Sequence, residues 1–406
     1  MKHMYKIKIL SPLLLCIPVL FTSCGDEPSA GVTPDASEHI IFGTPEIALH
    51  YNRSRSGIEN EIGGDFCVYG YCAPRDIKDN NITNWGNAQA GWNSKSAYVS
   101  PHVFNAQRVE SDGKYSLDPN EQGKLKAWET ASGLDPLQFK YSFIAYYPFD
   151  NTIFTMNAQN GDNTVPATSM GVPVLTFNMP FNDSGSADQT VRRNPADIKD
   201  AMIAAVFDHT KPQGAINFRF EHLLSAFRFK INNYTNLRLQ INRVELVGTF
   251  FKSADINFKE TTVARPQATG SYSGTFVLLD GAGTPQQIPS QSEAGDFLGA
   301  SPDNNSEGFS LMLLTGINTE NLTNYNYLGP GTTAPQLVFD YALYNEQNNT
   351  VVAEYKNVTT SFNPANPAAG VRYTVNLNFV GNEFILVFTP EGDSWEGDHD
   401  NDIIIN

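Results

Sequence analysis

The sequence has 406 residues, of which 27 are basic and 43 acidic, and its formal net charge is −16. This acidic balance argues against nucleic-acid binding, because a phosphate backbone is bound mainly through lysine and arginine. The length exceeds that of one typical hydrophobic core and therefore predicts two domains.

The first residues form a segment typical of a secretory signal. Three lysines precede an apolar run over residues 9–21, which is the charged-then-apolar order of such a signal. The run is shorter than the roughly 20 residues that span a bilayer, and Pro12 and Pro18 interrupt it as a helix. The sequence therefore predicts a signal peptide at residues 1–23.

The apolar run ends in Phe-Thr-Ser-Cys at residues 21–24, which resembles a bacterial lipobox. The resemblance implies a lipid attached to Cys24, which would become the first mature residue and moor the chain in a membrane. The alternative is an ordinary cleavage site beside an incidental cysteine. Residues 24–38 are predicted to form a flexible acidic tether, and Gly-Asp-Glu at residues 25–27 resembles the surface-export tether of Bacteroidetes lipoproteins.

Segments with apolar residues at alternate positions dominate the rest of the chain. In the clearest one, Val371, Tyr373, Val375, Leu377 and Phe379 share one face, and Arg372, Thr374, Asn376 and Asn378 share the other. This pattern predicts a half-buried antiparallel strand. Residues 139–147 and 337–343 alternate in the same way. The chain is therefore predicted to be all-β, with sandwiches favoured over barrels.

Signals for helices are few and short. Residues 120–131 predict one short helix, and Asn194 followed by Pro195 is typical of a helix start, although that segment equally predicts a strand at residues 202–206. The polar segment 208–214, which contains Pro and Gly, is the best candidate domain boundary. We therefore predict an N-terminal domain at residues 39–210 and a C-terminal domain at residues 211–406.

Cys67 and Cys72 lie close together in the sequence Phe-Cys-Val-Tyr-Gly-Tyr-Cys. In one straight strand their side chains would point to opposite faces and lie about 16 Å apart, whereas a disulfide requires Cα atoms within about 7 Å. We therefore predict no bridge unless the chain turns at Gly70, and we interpret both cysteines as small buried hydrophobes.

The alternation changes phase within residues 216–231. Ile216, Phe218 and Phe220 share one parity, and Leu223, Phe227, Phe229 and Ile231 share the other. A bulge or brief turn at residues 221–224 would keep both sets buried. His222 lies at this switch; we interpret it as a structural residue that binds backbone groups freed by the kink, and the alternative is a ligand or base.

Five segments in order resemble the fimbrillin family, the Mfa-like pilus subunits and anchors of Bacteroidetes. They are FCVYGY at residues 66–71, KDAMIAAV at 199–206, FRFEHLLSAFRFKI at 218–231, GVRYTVNLNF at 370–379 and SWEGDHDNDIIIN at 394–406. The resemblance implies two transthyretin-like β-sandwich domains in tandem, a lipoprotein precursor, and assembly of a type V pilus. Its partners would be other pilus subunits and, through the lipid anchor, the outer membrane.

The resemblance also implies a removable first strand. In that family a surface protease cuts after an arginine near the mature start, and a strand from a neighbouring subunit then fills the groove. Residues 39–51, with Ile47, Leu49 and Tyr51 aligned, are predicted to be this strand. We expect cleavage after Arg55, with Arg53 as the second choice; the alternative is an uncut loop.

A possible donor segment is predicted near residue 406. Ile403, Ile404 and Ile405 would supply its apolar side chains, and the alternative is an ordinary edge strand of the second domain.

Motifs for catalysis, cofactors and metals are missing from the sequence. There is no nucleophile elbow, phosphate-binding loop or paired Cys/His spacing. The alternating acids at residues 398–402 resemble the start of a calcium loop, but the downstream Gly and Glu are absent, so we favour a solvated acidic turn. No catalytic, cofactor or metal residue is predicted, and we expect no enzyme.

Two functions remain as hypotheses for a protein at the outer membrane and cell surface. The first is a structural or accessory subunit of a type V pilus. The alternative is a surface lipoprotein or tip adhesin that binds a glycan or host protein through exposed Trp85, Trp92 and Trp128, although these tryptophans could equally be partly buried anchors.

Overall fold

The computed structural model describes residues 38–48, 62–74, 103–128, 139–156, 174–179, 192–193, 198, 200–258, 267–280, 285–298, 311–317 and 321–391. Within these ranges the protein is all-β, as predicted, and the one helical element is a short 3-10 helix at Lys211–Gln213. Outside them lie Cys24, Arg53, Arg55, Trp85, Trp92, Ile403, Ile404 and Ile405. Among the residues that the structure describes, no helix has the length and apolarity needed to cross a membrane.

The strands follow the alternating segments of the sequence. Their bounds are β1 (Glu46–Ile47), β2 (Phe66–Pro74), β3 (Phe104–Val109), β4 (Phe139–Tyr147), β5 (Phe154–Met156), β6 (Val174–Asn178), β7 (Arg192–Arg193), β8 (Met202–His209), β9 (Arg219–His222), β10 (Ser225–Asn233), β11 (Arg238–Asn257), β12 (Gln267–Leu279), β13 (Gln286–Ile288), β14 (Ser292–Phe297), β15 (Leu311–Leu313), β16 (Gln336–Asn345), β17 (Thr350–Ser361), β18 (Arg372–Val380) and β19 (Glu383–Pro390).

The first sheet has the strand order β1-β9-β8-β4-β2-β3 and is buried on both faces. Along β2, Phe66 and Val68 pack into one apolar core, whereas Cys67 and Tyr69 pack into another on the opposite face. Strands β8 and β9 pair across the polar segment 208–214, where the sequence places a domain boundary. That boundary stays a prediction.

Two further sheets enclose the second core. One has the order β14-β10-β18-β19, and the other has the order β17-β16-β11-β12-β7, with the 20-residue β11 at its centre. Aromatic rings join them face to face: Phe339 of β16 stacks on Phe384 of β19 with ring centroids 4.1 Å apart. Side chains from these two sheets share one core with the face of the first sheet that carries Cys67 and Tyr69.

The predicted strand at residues 371–379 forms β18, with a difference in its polar face. Val375, Leu377 and Phe379 are fully buried as predicted. However, β18 is antiparallel only to β19 and runs parallel to β10. Arg372 and Thr374 are also buried, because their side chains bind Glu391.

The short helix predicted at residues 120–131 is wrong over its described part, residues 120–128. These residues begin with turns, where the amide of Asn120 donates to Asp118 Oδ1 over 2.9 Å, and end in an isolated bridge at Ala127. Gly123 then adopts a left-handed φ of 77°, which a helix does not accommodate. Residues 202–206 belong to β8, in agreement with the strand alternative.

The interpretation of Cys67 is confirmed. Strand β2 continues without a turn against β4, and Cys67 is a free, fully buried thiol. Burial raises its pKa to about 12. The side chain of Cys72 lies outside the described part of the chain.

The phase change near His222 is a brief turn, as predicted. Strand β9 ends at His222 and β10 begins at Ser225. Leu223 and Leu224 between them are both buried. A carboxylate lies beside His222, since its Nδ1 is 2.6 Å from Asp200 Oδ2. The binding of backbone groups by His222 stays a prediction.

Candidate functional site

Residues 38–48, named here the N-terminal segment, lie between two stretches of chain that come much later in the sequence. On one side the segment is antiparallel to residues 126–128, with His39 opposite Ala127. The amide of Ile40 donates to the carbonyl of Lys126 over 2.8 Å, and the amide of Trp128 donates to the carbonyl of Glu38 over 3.3 Å. Its first half is therefore an interior strand.

On its other side the N-terminal segment runs parallel to residues 216–220. The amide of Ile216 donates to the carbonyl of Ile41 over 2.8 Å, and the amide of Gly43 donates back to the carbonyl of Ile216 over 3.0 Å. Further along, the amide of Glu46 donates to the carbonyl of Phe218 over 2.9 Å, and the amide of Ala48 donates to the carbonyl of Phe220 in β9 over 2.6 Å. Taking this segment away would leave unpaired backbone groups on both flanks.

The pairing shifts by one residue inside the segment. Phe42 lies opposite Ile216, and Glu46 lies opposite Arg219. Four steps along the segment thus match three steps along its partner, and the extra residue falls within Gly-Thr-Pro at residues 43–45. The buried positions before this step are the even-numbered Ile40 and Phe42. After it they are the odd-numbered Pro45, which is buried, and Ile47, which is partly buried.

A cage of aromatic rings surrounds Phe42 of the segment. Its ring centroid lies 5.4 Å from that of Phe104, 5.3 Å from Tyr115, 5.9 Å from Phe143 and 5.6 Å from Phe218. Ring pairs at such separations add to the free energy that burial alone provides. The cage therefore fits an aromatic side chain better than an aliphatic one.

A buried tyrosine ties the backbone of the segment to the loop beside it. The hydroxyl of Tyr115 donates to the carbonyl of Ile40 over 2.7 Å and accepts from the amide of Lys126 over 3.1 Å. Burial raises the pKa of Tyr115, so the hydroxyl keeps its proton and stays a donor. The side chain of Ile40 is fully buried next to it.

The turn at residues 110–114 presses on the segment from the side. A Cβ on Gly113 would lie 2.6 Å from the carbonyl oxygen of Phe42 and 2.8 Å from that of Gly43. Gly113 also has a left-handed φ of 87°. Only glycine satisfies both requirements without strain.

A family model described as fimbrillin-like matches residues 124–395. The chain belongs to the fimbrillin-like family. This membership confirms the resemblance in the sequence and supports a fimbrial or adhesive role at the cell surface.

Solved structures similar to this fimbrillin-like chain come from Bacteroides. A fimbrial protein from Bacteroides vulgatus is 14% identical, with a TM-score of 0.47 over 87% of this chain and 99% of that one. A candidate cell adhesion protein from Bacteroides uniformis is 12% identical, with a TM-score of 0.40 over 88% and 99%. Scores this low carry no argument of their own. No curated protein matches the sequence.

In this fimbrillin-like protein the predicted removable strand is a strand in part, but its buried positions differ from those expected. Ile47 is partly buried, whereas Leu49 and Tyr51 lie outside the described residues. The main buried side chains are Ile40 and Phe42, which the sequence analysis missed. The alternation of Ile40 and Phe42 is visible in the sequence, but the step at residues 43–45 separates it from that of Ile47.

The proposal that Trp128 is an exposed glycan-binding residue is wrong. Its side chain is only 3% exposed. It packs edge-on against Tyr141 with centroids 4.9 Å apart and stacks on His209 at 6.1 Å. Burial lowers the pKa of His209, whose Nε2 lies 2.9 Å from the carbonyl of Gly214. Trp128 is therefore an anchor beside the N-terminal segment. Within the described ranges no group of three or more metal-ligating side chains is found.

Proposed function

We propose that this fimbrillin-like chain is a structural or accessory subunit of a type V pilus. It is exported as a lipoprotein attached through Cys24 and assembles by strand exchange after proteolysis at Arg55 or Arg53. Residues 403–405 act as the donor strand in the next subunit. No catalytic activity is assigned to it.

The observation that carries this proposal is the backbone pairing of the N-terminal segment with the chain on both of its sides. It is an inserted strand with backbone hydrogen bonds to two flanks, and its last described residue, Ala48, precedes Arg53 by only five positions. A cut at Arg53 or Arg55 would separate the whole segment from the rest of the chain. The segment would then be held only by non-covalent contacts.

Loss of the segment would create a site for another strand. Two backbone edges would lose their partners, and the cage around Phe42 would be exposed. Burying one such ring is worth about 1.5–3 kcal/mol, and a donor strand would also pair both edges. One incoming strand would therefore satisfy both demands, which favours a stable joint between subunits.

The test is limited proteolysis followed by assembly. The mature chain is treated with an arginine-specific protease, mixed with the other subunits of the same fimbriae, and analysed by SDS gel without boiling. We expect a cut after Arg55 or Arg53 and a ladder of SDS-resistant oligomers. A variant with Arg53→Ala and Arg55→Ala should stay intact and monomeric. A cut chain that remains monomeric at all concentrations would contradict strand exchange.

The lipid anchor has its own test. In cells labelled with palmitate, the wild-type chain should carry label and sediment with outer membranes, whereas Cys24→Ala should do neither. Labelling that survives Cys24→Ala would refute attachment at this residue.

A further inference from the structure

The groove around the N-terminal segment has an uneven spacing of apolar sites. Ile40, Phe42 and Ile47 pack in one apolar core and Pro45 between them is also buried, so these sites lie two, three and two residues apart; Ile41 is partly buried and Ala48 is buried, but neither belongs to that core. The step of three follows from the pairing, since Phe42 lies opposite Ile216 and Ile47 lies opposite Phe220. A plain strand would place its apolar residues two apart throughout.

We infer that this groove selects a strand with that spacing and with an aromatic residue at the second site. The inference rests on the proposed function, because it concerns which strand replaces the N-terminal segment. The segment Ile403, Ile404 and Ile405 has neither the ring nor the step. The partner of this groove is therefore a strand of a different subunit that carries the pattern, and the assembly is mixed.

The site of Phe42 distinguishes donor strands by how well their side chain fills the aromatic cage. Four rings lie within 6 Å of the Phe42 centroid, and Phe42 is 3% exposed. An isoleucine there would leave part of the cage empty, and an unfilled cavity in a packed core is destabilising. A donor with isoleucine at this site therefore binds more weakly than one with an aromatic ring.

The extra residue within positions 43–45 distinguishes donor strands by the register in which they pair. Side chains of a strand alternate between faces, so a shift of one residue turns every later side chain to the other face. A donor without the extra residue can place its first two apolar side chains in the sites of Ile40 and Phe42. Its next ones then point away from the sites of Pro45 and Ile47.

Peptide competition tests both features. In a variant of the mature chain, residues 52–58 are replaced by the site of a specific protease, and the chain is cut there. A fluorescent peptide with the sequence of residues 38–48 is then exchanged into the groove and followed by anisotropy. Unlabelled competitors are the same peptide and its variants with Thr44→Ala, Phe42→Ile and deletion of Thr44, together with a peptide of residues 397–406. Thr44 is exposed, so Thr44→Ala is the matched control.

We expect the parent and Thr44→Ala peptides to compete equally. Phe42→Ile should be about tenfold weaker or worse, and deletion of Thr44 should weaken competition on the order of 100-fold because two buried contacts are lost. The peptide of residues 397–406 should not displace the label at a 100-fold excess over the parent peptide. Equal competition by it or by the deletion peptide would overturn the inference, as would failure of the parent peptide to enter the groove.

The readout does not depend on polymer formation. A selective groove in a chain that forms no SDS-resistant ladder would refute the proposed function and keep the inference. A ladder built from this chain alone, together with an unselective groove, would support the proposed function and refute the inference.

Discussion

Two glycines of this protein share a backbone conformation but differ in their surroundings. Gly113 and Gly123 have left-handed φ values of 87° and 77°. A Cβ on Gly113 would press on the carbonyl of Phe42, whereas a Cβ on Gly123 would meet nothing within 4 Å. In each case alanine costs about 1–2 kcal/mol for the left-handed backbone.

We therefore expect Gly113→Ala to lower the free energy of unfolding by at least about 1 kcal/mol more than Gly123→Ala, because only the former also pushes on the N-terminal segment. Urea unfolding of the two variants measures the difference directly. Equal losses would mean that the 110–114 turn can move away from the segment without cost.

A single carboxylate holds two buried arginines at the end of β19. Glu391 binds the Nε atoms of Arg228 and Arg372, the latter at 2.5 Å. The two arginines are 5% and 6% exposed. Removing one member of a buried ion pair costs about 3–5 kcal/mol, so we expect a loss of that size in Glu391→Gln. The exposed Glu383 at the start of β19 is the control, and Glu383→Gln should change stability by less than about 0.5 kcal/mol. Denaturation midpoints compare the two.

At the scale of single strands, period-two alternation predicted β4, β16 and β18, but it did not predict β11, β12 or β17, nor which strands pair with each other. Residues 139–147 and 371–379 became strands because both faces of each strand are packed or bonded. The burial of Arg372 was not predictable, since its partner Glu391 lies 19 residues away, just after the end of β19. The step at residues 43–45 and the burial of Trp128 also depend on pairing between residues far apart in sequence.

The outer face of β11 and β16 carries an ion pair that links the two strands. Arg243 Nε and Nη2 donate to the two carboxylate oxygens of Asp340, both at 2.9 Å, and Arg243 Nη1 lies 2.8 Å from Glu245 Oε2. The hydrogen bond from Arg243 is the main reason that the pKa of Asp340 is lowered. A carboxyl with a lowered folded pKa contributes stability above its unfolded pKa of about 3.9 and loses it as the pH falls further.

We expect Arg243→Ala to cost about 1–2 kcal/mol at pH 7 and progressively less below pH 4. Asp340→Asn should remove the same acid-dependent part, and the double variant should show no additional pH dependence. Urea unfolding at pH 7 and pH 3 measures the loss of stability in each of the three variants. A loss in Arg243→Ala that is the same at both pH values would show that packing, not charge, is responsible.

For the molecule as a whole, one apolar core connects the first sheet to the other two. Tyr146 of the first sheet stacks on Phe154 with centroids 4.5 Å apart, and Phe154 contacts Phe177 at 5.2 Å. Phe177 lies on β6, which pairs with β11. Phe154 is therefore one link through which the first sheet and the β11 sheet share a core.

We expect the wild-type chain to unfold in one transition and Phe154→Ala to split it into two. The side chain is 1% exposed, and its removal should cost about 3–5 kcal/mol, concentrated at the link. The neighbouring Phe149 is 43% exposed, so Phe149→Ala should leave a single transition. Calorimetry follows both transitions, and tryptophan fluorescence in a background with Trp85, Trp92 and Trp395 replaced by Phe follows the core around Trp128 alone. A single transition that simply moves to lower temperature would show that the sheets stay coupled through other contacts in the core, such as those around Phe227 and Leu223.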